Sequence, residues 1–366
     1  MTTSPLILLA AGGTGGHLFP AEALGVELMK RGLRVRLATD ARALRYSGLF
    51  SRDTIDVVPS ETVRSRNPLS LARTGFTLAA GMIVALNLVR RLKPAAVVGF
   101  GGYPTLPPLL AARLLRVPSV IHDANAVLGR ANRFLSSRVS AIATSLPGVL
   151  DRDPQLASKT TIVGMPMRPA IVAAAAVKYV RPEVDGPLRL LVTGGSQGAR
   201  VMADIVPPAI ERLDPSLWRR LLVTQQVREE DMTRVRAVYD RLKINAELAP
   251  FFTDLPARLA SNHLVISRSG AGTVSELAAI GRPSILVPLP GAIDQDQFAN
   301  AGVLSDAGGA LRLPQSEFTP ERLASEISTL AADPAKLANM AKAARTAGRL
   351  DAAERLADLV VKVAGI

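Results

Sequence analysis

The chain has 366 residues and a hydrophobic content of 48%, enough for about two domains with substantial cores. It contains no cysteine, which excludes disulfides and thiolate chemistry and favours a reducing compartment. The net charge of +13 predicts an anionic partner, but aromatic residues make up only 4%, so we expect no nucleic-acid partner.

The N-terminal segment opens with a strand that runs into a glycine-rich turn. Residues 1–5 lack a basic residue and the apolar run 6–11 has strand length, so we expect no secretory signal. A strand, the glycines of 12–16 and a helical pattern are typical of an anion site, with His17 at its mouth. The pattern also fits a tight turn without ligand. Leu18 replaces the third glycine of a dinucleotide fingerprint.

Strand-length apolar runs then alternate with helical patterns. The predicted strands lie at 33–38, 55–58, 95–100, 119–122 and 141–144, then at 188–193, 221–224, 264–267 and 284–287. A second strand–glycine–helix opening follows the strand at 188–193. This alternation predicts two Rossmann-like domains with parallel sheets, and ligands at the carboxyl ends of their strands.

The predicted boundary between the domains follows from the restart of this pattern. We assign residues 1–163 to the first domain and 164–344 to the second, with a linker near 161–166. The cleft between the domains is the expected site. A final helical stretch, about 335–363, is a candidate to pack back on the first domain through residues 345–366.

A third glycine-rich segment, residues 267–276, follows a strand and opens a helix. Its small residues suit a diphosphate, and Glu276 in the first turn can bond sugar hydroxyls. Alternatively, Thr273 and Glu276 form a capping box. Downstream, Asp294 and Asp296 match an Asp-x-Asp metal pattern, but three residues are a weak signal, so we expect no metal and no cofactor.

Two further stretches carry open alternatives. His122 and Asp123 end a predicted strand, where they can transfer protons or form a satisfied buried pair. The apolar run 76–89 is shorter than the roughly 20 residues of a spanning helix. With its flanking arginines it predicts either a core helix with solvated ends or a peripheral membrane face. The candidate membrane residues are Arg73, Phe76, Met82, Arg90 and Arg91.

Six segments together resemble the MurG family, the peptidoglycan N-acetylglucosaminyltransferases that convert lipid I to lipid II. They run in family order from one end of the chain to the other: 12–20, 99–103, 122–126, 163–168, 194–200 and 268–276. One departure is His122-Asp123-Ala124-Asn125, where the family usually has His-Glu-Gln-Asn. The resemblance implies an α/β GT-B glycosyltransferase fold, two Rossmann-like parallel-sheet domains facing a deep cleft.

The resemblance also implies site residues in both domains. Arg168 approaches the diphosphate, and the glutamine that contacts the donor is either Gln295 or Gln297. The sugar and acceptor side is implied at Thr14, Gly15, Gly16 and Asn125. The uridine and diphosphate side is implied at Ser196, Phe252, Ala271, Gly272, Thr273, Val274, Ser275 and Glu276.

The implied reaction is an inverting, metal-independent transfer of GlcNAc from UDP-GlcNAc to the C4 hydroxyl of MurNAc in lipid I. His17 is the candidate base, with His122 and Asp123 as further candidates. The implied partners are the two substrates, the anionic cytoplasmic face of the bacterial inner membrane and other cell-wall synthesis proteins. Two alternatives stay open: a UDP-GlcNAc 2-epimerase of the same fold and a non-catalytic, membrane-bound sugar-nucleotide sensor.

Overall fold

A computed structural model describes most of the chain. The described residues are 4–12, 15–41, 50–60, 67–151, 153–195, 198–292 and 295–366, without the side chains of 68–74. The chain divides into two compact units. Unit 1 consists of Met1–Arg168 and Leu350–Ile366, and unit 2 consists of Pro169–Arg349.

Unit 1 is built on a parallel sheet whose described strands follow the order β3-β2-β1-β4-β5-β6-β7. The strands are β1 (Leu6–Ala10), β2 (Arg34–Thr39), β3 (Ile55–Val57), β4 (Ala96–Gly99), β5 (Ser119–Asp123), β6 (Ala141–Thr144) and β7 (Thr160–Ile162). The helices between them are α1 (Gly15–Lys30), α2 (Pro68–Leu92), α3 (Leu106–Leu114), α4 (Arg130–Ser136) and α5 (Pro154–Ala157). The central strands β1 and β4 are wholly apolar because both faces of the sheet are covered.

Unit 2 repeats the same topology with the order β10-β9-β8-β11-β12-β13, again parallel in its described pairs. The strands are β8 (Leu188–Thr193), β9 (Leu221–Gln226), β10 (Asn245–Ala249), β11 (Leu264–Ser267), β12 (Ser284–Leu286) and β13 (Ala310–Arg312). The helices are α6 (Pro169–Ala175), α7 (Arg200–Glu211), α8 (Pro215–Trp218), α9 (Met232–Arg241), α10 (Leu255–Ser261), α11 (Ala271–Ile280), α12 (Asp296–Asp306), α13 (Pro320–Ala332) and α14 (Pro334–Ala347). The expectation of two Rossmann-like parallel sheets is confirmed.

The C-terminal helical stretch is two helices rather than the single one predicted. The first is α14, which belongs to unit 2, and the second is α15 (Ala352–Ala364), which belongs to unit 1. Leu356, Ala357 and Val360 of α15 are buried in the same core cluster as side chains of α1. The last helix therefore completes one face of the first sheet.

Three strands escaped prediction because they lie at or near sheet edges. β10 is largely exposed or half-buried, β13 is short, and β7 is an edge strand within the expected linker. An edge strand buries few side chains, so its sequence lacks the continuous apolar run of a central strand. The chain passes from unit 1 to unit 2 after Arg168.

Helix α2 is longer than the apolar run within it. It has 25 residues, and its window Gly75–Leu92 has a mean hydropathy of 1.3, so length and composition alone would allow it to cross a membrane. The expectation that this stretch is too short is therefore wrong. Ala85, Leu88 and Val89 are nevertheless buried in the core of unit 1. The helix is a packed layer of that unit with one exposed face.

The start of β11 is tied to β8 through His263. Its Nδ1 accepts the main-chain N–H of Arg189 at 3.1 Å, and its main-chain oxygen accepts the hydroxyl of Tyr179 at 3.1 Å. Burial and, to a smaller extent, the charges of Arg189 and Arg282 lower the pKa of His263 from 6.5 to about 4. An accepting Nδ1 must be unprotonated, so this bond exists only in the neutral imidazole.

We predict that the free energy of unfolding falls as the pH drops below 6.5 toward 4. In this range the unfolded chain binds a proton at His263 and the folded chain does not, so acid favours unfolding; the stability is fully present above pH 6.5. The substitution His263→Asn keeps an acceptor oxygen that does not titrate. Urea unfolding between pH 7.5 and 5 should therefore show a shallower pH dependence in the variant, and an identical slope would contradict this assignment.

Candidate active site

His17 lies in the first turns of α1, directly after the glycine-rich turn that follows β1. Its Nδ1 is 3.1 Å from the main-chain oxygen of Gly12. A carbonyl oxygen only accepts, so Nδ1 carries the proton and Nε2 is the unprotonated nitrogen. Burial lowers the pKa of His17, while Gly12 and the charge of Asp123 act in the opposite direction. The imidazole is therefore neutral near pH 7 and has the tautomer of a base.

The two glycines that follow β4 pack against this imidazole. Gly101 and Gly102 have φ angles of +89° and +77°, a region that favours glycine. A Cβ atom on either residue would lie 3.4 Å from a ring carbon of His17. The two glycines thus allow the ring to approach the main chain closely.

His122, at the end of β5, is fully buried beside the ring of Phe100. Its Nε2 lies 3.1 Å from the main-chain oxygen of Gly164 and 3.2 Å from the hydroxyl of Ser145. Gly164 can only accept, so Nε2 carries the proton. Burial lowers the pKa of His122, and its Nδ1 has no hydrogen-bond partner among the described residues. His122 is a neutral, buried imidazole.

Asp123 organises the loop that follows β5. One carboxylate oxygen accepts the N–H of Asn125 at 3.0 Å, and the other accepts the N–H of Gly129 and the amide of Asn132, both at 2.9 Å. Asn132 also donates to the main-chain oxygen of His122 at 3.0 Å. Both carboxylate oxygens are engaged as acceptors, so this geometry favours a structural role for Asp123. Sequence analysis missed Asn132, whose signal is a polar residue on the buried side of α4.

Arg168 ends unit 1 and is held against α1. Its guanidinium lies 3.9 Å from the ring centroid of Phe19, within cation–π distance. The same ring covers Gly15, where a Cβ would lie 2.8 Å from a ring carbon. Gly15 is buried and Gly16 is exposed in the first turn of α1. The stacking orders the guanidinium near the N-terminus of that helix.

In unit 2, α11 begins at the carboxyl end of β11. Its N-cap is Gly270, and no side chain of the described residues caps this end, so the first N–H groups are open to a ligand. The predicted capping box is wrong because Thr273 is the third helical residue rather than the N-cap. Glu276 accordingly lies in the second turn, not the first, and is half-buried.

The other predicted residues of α11 divide between its surface and the core. Ala271, Gly272 and Thr273 are half-buried at the helix start, whereas Val274 and Ser275 are buried. Added Cβ atoms at Gly270 and Gly272 would meet no atom of the described residues within 4 Å. The helix start therefore borders open space.

The two candidate glutamines lie at the start of α12, Gln295 as its N-cap and Gln297 as its second residue, and they have different environments. Gln297 accepts the N–H of Leu289 through its side chain at 3.1 Å, and its main-chain oxygen accepts the hydroxyl of Ser269 at 2.8 Å. Gln295 is exposed and has a φ angle of +53°, in the left-handed region. Gln297 is thus engaged in holding the loop, and Gln295 faces solvent. Asp294 lies outside the described residues.

Phe252, which the resemblance implies on the uridine and diphosphate side, and its neighbour Phe251 follow β10 and differ in exposure. Phe252 is only 8% exposed, and the guanidinium of Arg258 lies 4.3 Å from its ring centroid. Phe251, which sequence analysis missed, is 61% exposed at the carboxyl end of β10. Adjacent aromatic residues after a strand point to opposite sides, and the sequence does not say which side faces solvent. Thr14 and Ser196 lie outside the described residues.

The candidate membrane residues do not all share one environment. Phe76 is 79% exposed, and Arg90 and Arg91 are exposed, with Arg91 paired to Asp56 at 2.9 Å. Met82 is half-buried and packs against the core of unit 1. Arg73 lies in α2, but its side chain is outside the described part of the structure.

Comparisons with known proteins match both units. The glycosyltransferase family 28 N-terminal domain matches residues 7–144, and the glycosyltransferase family 28 C-terminal domain matches residues 189–356. A relative from a Bradyrhizobium species (strain BTAi1) is 80% identical over 367 residues, with 100% of both chains covered. It is named UDP-N-acetylglucosamine–N-acetylmuramyl-(pentapeptide) pyrophosphoryl-undecaprenol N-acetylglucosamine transferase.

Solved structures with the same fold cover almost the whole chain. Acinetobacter baumannii MurG has 30% identity and a TM-score of 0.79, covering 98% of this chain and 99% of its own. A Neisseria meningitidis UDP-GlcNAc 2-epimerase has a TM-score of 0.68, covering 98% and 100%, but at 13% identity this likeness shows the fold alone. By its full-length identity to the Bradyrhizobium relative and its match to both family domains, the chain belongs to the MurG family within glycosyltransferase family 28.

Proposed function

We propose that this chain transfers GlcNAc from UDP-GlcNAc to the C4 hydroxyl of MurNAc in lipid I, giving lipid II and UDP. The observation that carries the proposal is the full-length 80% identity to a relative named for this transfer. The hydroxyl oxygen attacks C1 of GlcNAc while the bond from C1 to the UDP oxygen breaks, which inverts the configuration at C1. This chemistry needs a base for the hydroxyl proton and positive groups for the departing diphosphate.

His17 is the base in this proposal. Its Nδ1 is protonated and bonded to Gly12, so Nε2 accepts the hydroxyl proton. The lowered pKa keeps the imidazole neutral near pH 7. Gly15, Gly16 and the loop that carries Asn125 would line the sugar and acceptor.

The diphosphate would meet the open N–H groups at the start of α11 in unit 2. The helix dipole adds positive potential there, and Arg168 would add a guanidinium. Glu276 would accept hydrogen bonds from the ribose hydroxyls. Gln295 would contact the GlcNAc, because Gln297 already bonds Leu289.

Two other functions make different predictions for one assay. A UDP-GlcNAc 2-epimerase needs no acceptor, and a sensor binds UDP-GlcNAc without turnover. The epimerase likeness is in the fold alone, at 13% identity. Transfer requires both UDP release and a disaccharide product that depend on the acceptor.

The test follows UDP release from UDP-GlcNAc with and without a lipid I analogue. We predict acceptor-dependent release, and we expect His17→Ala to lower kcat by about 10²- to 10⁴-fold, the usual share of a general base. UDP affinity should stay near wild type. Wild-type activity should fall only at pH values below 6.5, where His17 becomes protonated, and the residual activity of the variant should lack this acidic limb.

His263→Asn is the matched control, because the imidazole of His263 bonds a main-chain N–H of unit 2, and this variant should keep full kcat. ManNAc or UDP formed without acceptor would replace the proposal by an epimerase. Binding without turnover would support the sensor. A near-normal kcat in His17→Ala would place the base elsewhere.

Glu276 provides a separate test of donor binding. Glu276→Ala should weaken UDP and uridine binding by about 1–3 kcal/mol, the range for losing a charged hydrogen-bond partner. Isothermal titration with UDP, UMP and uridine measures the loss. Arg219, which is exposed just before the amino end of β9, offers the control Arg219→Ala, which should bind normally. Unchanged UDP affinity in a folded Glu276→Ala protein would remove this role.

We further propose that unit 1 binds an anionic bilayer as a peripheral protein, on the cytoplasmic face where lipid I is used. The exposed face of α2 carries Phe76 and Ile83, which are 79% and 63% exposed. Helix α3 packs against α2 and ends with Leu114, 65% exposed. Arg90, and Arg113 with Arg116, lie exposed near the C-terminal ends of these helices. Apolar side chains beside cations suit an anionic interface.

Reversing Arg73, Arg90 and Arg91 to Glu should abolish binding to phosphatidylglycerol vesicles, since each cation near such a surface contributes about 1 kcal/mol. Wild-type binding should weaken with salt and be absent on phosphatidylcholine. Vesicle flotation measures it. Turnover of a short-chain soluble acceptor should survive in the variant.

The matched control reverses three exposed arginines of unit 2, Arg181, Arg219 and Arg236. This control changes the net charge by the same amount. Retained vesicle binding in the control would therefore show that binding depends on the α2 face and not on the total charge. Arg91 also pairs with Asp56, so circular dichroism must show that the first variant is folded. Undiminished flotation of a folded Arg73/Arg90/Arg91 variant would make α2 a core helix with solvated ends.

A further inference from the structure

Gln226 is a buried polar residue at the carboxyl end of β9, and it touches two neighbouring segments. Its Oε1 accepts the hydroxyl of Thr193 and the N–H of Gly194, both at 3.0 Å. Its Nε2 donates to the main-chain oxygen of Pro250 at 3.1 Å. The side chain therefore joins the exits of β8 and β10 from the strand that lies between them.

The chemistry of these partners determines the orientation of the amide. The N–H of Gly194 can only donate, so the atom facing it must be the carbonyl oxygen of Gln226. The oxygen of Pro250 can only accept, so the atom facing it must be the NH₂ group. Thr193 Oγ1 in turn accepts the N–H of Gly195 at 3.3 Å. Only an amide of this length satisfies both sides at once.

The two segments that Gln226 joins both lie at the carboxyl edge of the second sheet. Gly194 and Gly195 open the glycine loop before α7, and Gly195 has a φ angle of +84°. Pro250 precedes the exposed Phe251. Ligands of such sheets bind at this edge, so both segments border the donor site of the proposed function, on which this inference rests.

We infer that Gln226 is a positioning residue for the sugar-nucleotide donor. It holds the start of the glycine loop at Gly194 and the segment from Pro250 at a fixed separation before the donor arrives. Arg228 adds a second bond from the same strand exit, to the main-chain oxygen of Gly198 at 3.2 Å. A preorganised loop binds a nucleotide diphosphate more tightly because less ordering is required on binding.

The adjacent Gln225 supplies a matched comparison within the same strand. It is fully buried on the opposite side of the sheet, where it accepts the hydroxyl of Tyr239 and donates to the main-chain oxygen of Met202. Gln225 thus stabilises the core of unit 2 without touching the loops at the carboxyl edge. The two glutamines share residue type, strand and burial but differ in what they hold.

The experiment compares Gln226→Met with Gln225→Met in the full-length protein. Gln226→Met should raise the Kd of UDP and the KM of UDP-GlcNAc by roughly tenfold. Its kcat at saturating donor should stay near wild type, because the acceptor and the base are untouched. Gln225→Met should lower the urea midpoint and leave KM unchanged. Gln226→Glu keeps the acceptor for Gly194 and loses the donor to Pro250, so it should show a smaller rise in Kd.

If Gln226→Met does not fold, the UDP Kd of Gln226→Glu tests the inference in its place. An unchanged UDP Kd in a folded Gln226 variant would overturn the inference, as would an equal rise in Kd in Gln225→Met. If the wild type binds UDP but transfers no sugar, the proposed transfer fails while the Kd comparison still decides the role of Gln226. A wild type that binds no UDP would overturn both.

Discussion

The parallel direction of the strands is the constraint on which the loop edge of each sheet depends. In the first sheet, Ala10 of β1 pairs with Gly99 of β4, so the glycine turns after these strands emerge side by side. In the second sheet, Thr193 of β8 pairs with Ser267 of β11 in the same way. After one strand of each pair the chain continues toward one edge of the sheet, and after the other strand it continues toward the opposite edge. This divergence opens a crevice between the two loops that follow the paired strands. Each crevice therefore collects groups that are far apart in sequence.

The two units carry groups of different chemistry, neutral imidazoles in unit 1 and N–H groups at a helix start in unit 2. Unit 1 holds two neutral imidazoles, the half-buried His17 and the fully buried His122, and burial lowers the pKa of each. The bond to Gly12 selects the tautomer in which His17 accepts a proton. Unit 2 presents the uncapped N-terminus of α11, where N–H groups favour negative charge. An unprotonated ring nitrogen and an anion-favouring helix start thus occur on separate sheets.

The far end of α11 is held by two arginines, the buried Arg282 and the exposed Arg345. Arg282 is 1% exposed and donates to the main-chain oxygens of Ile280 and Gly281 and also to that of Ala260. Arg345 donates to the oxygen of Ala279. Guanidinium groups at a helix C-terminus satisfy its last carbonyls and complement its dipole. Burial lowers the pKa of Arg282 to about 10, so it remains a cation near pH 7. The contacts that place the helix are therefore at the end opposite to its open N-terminus.

The sequence by itself determined the central strands, the glycine turns after them and the family, because apolar runs and glycines act locally and keep their order along the chain. It could not determine the edge strands such as β10, whose half-exposed residues carry no clear period. The tautomer of His17 depends on where the turn places one carbonyl oxygen, and the position of Glu276 depends on where α11 begins. The role of Gln226 rests on partners 32 and 24 residues away. Only the tertiary structure decided these features, since a hydrogen bond exists only when folding brings its donor and acceptor together.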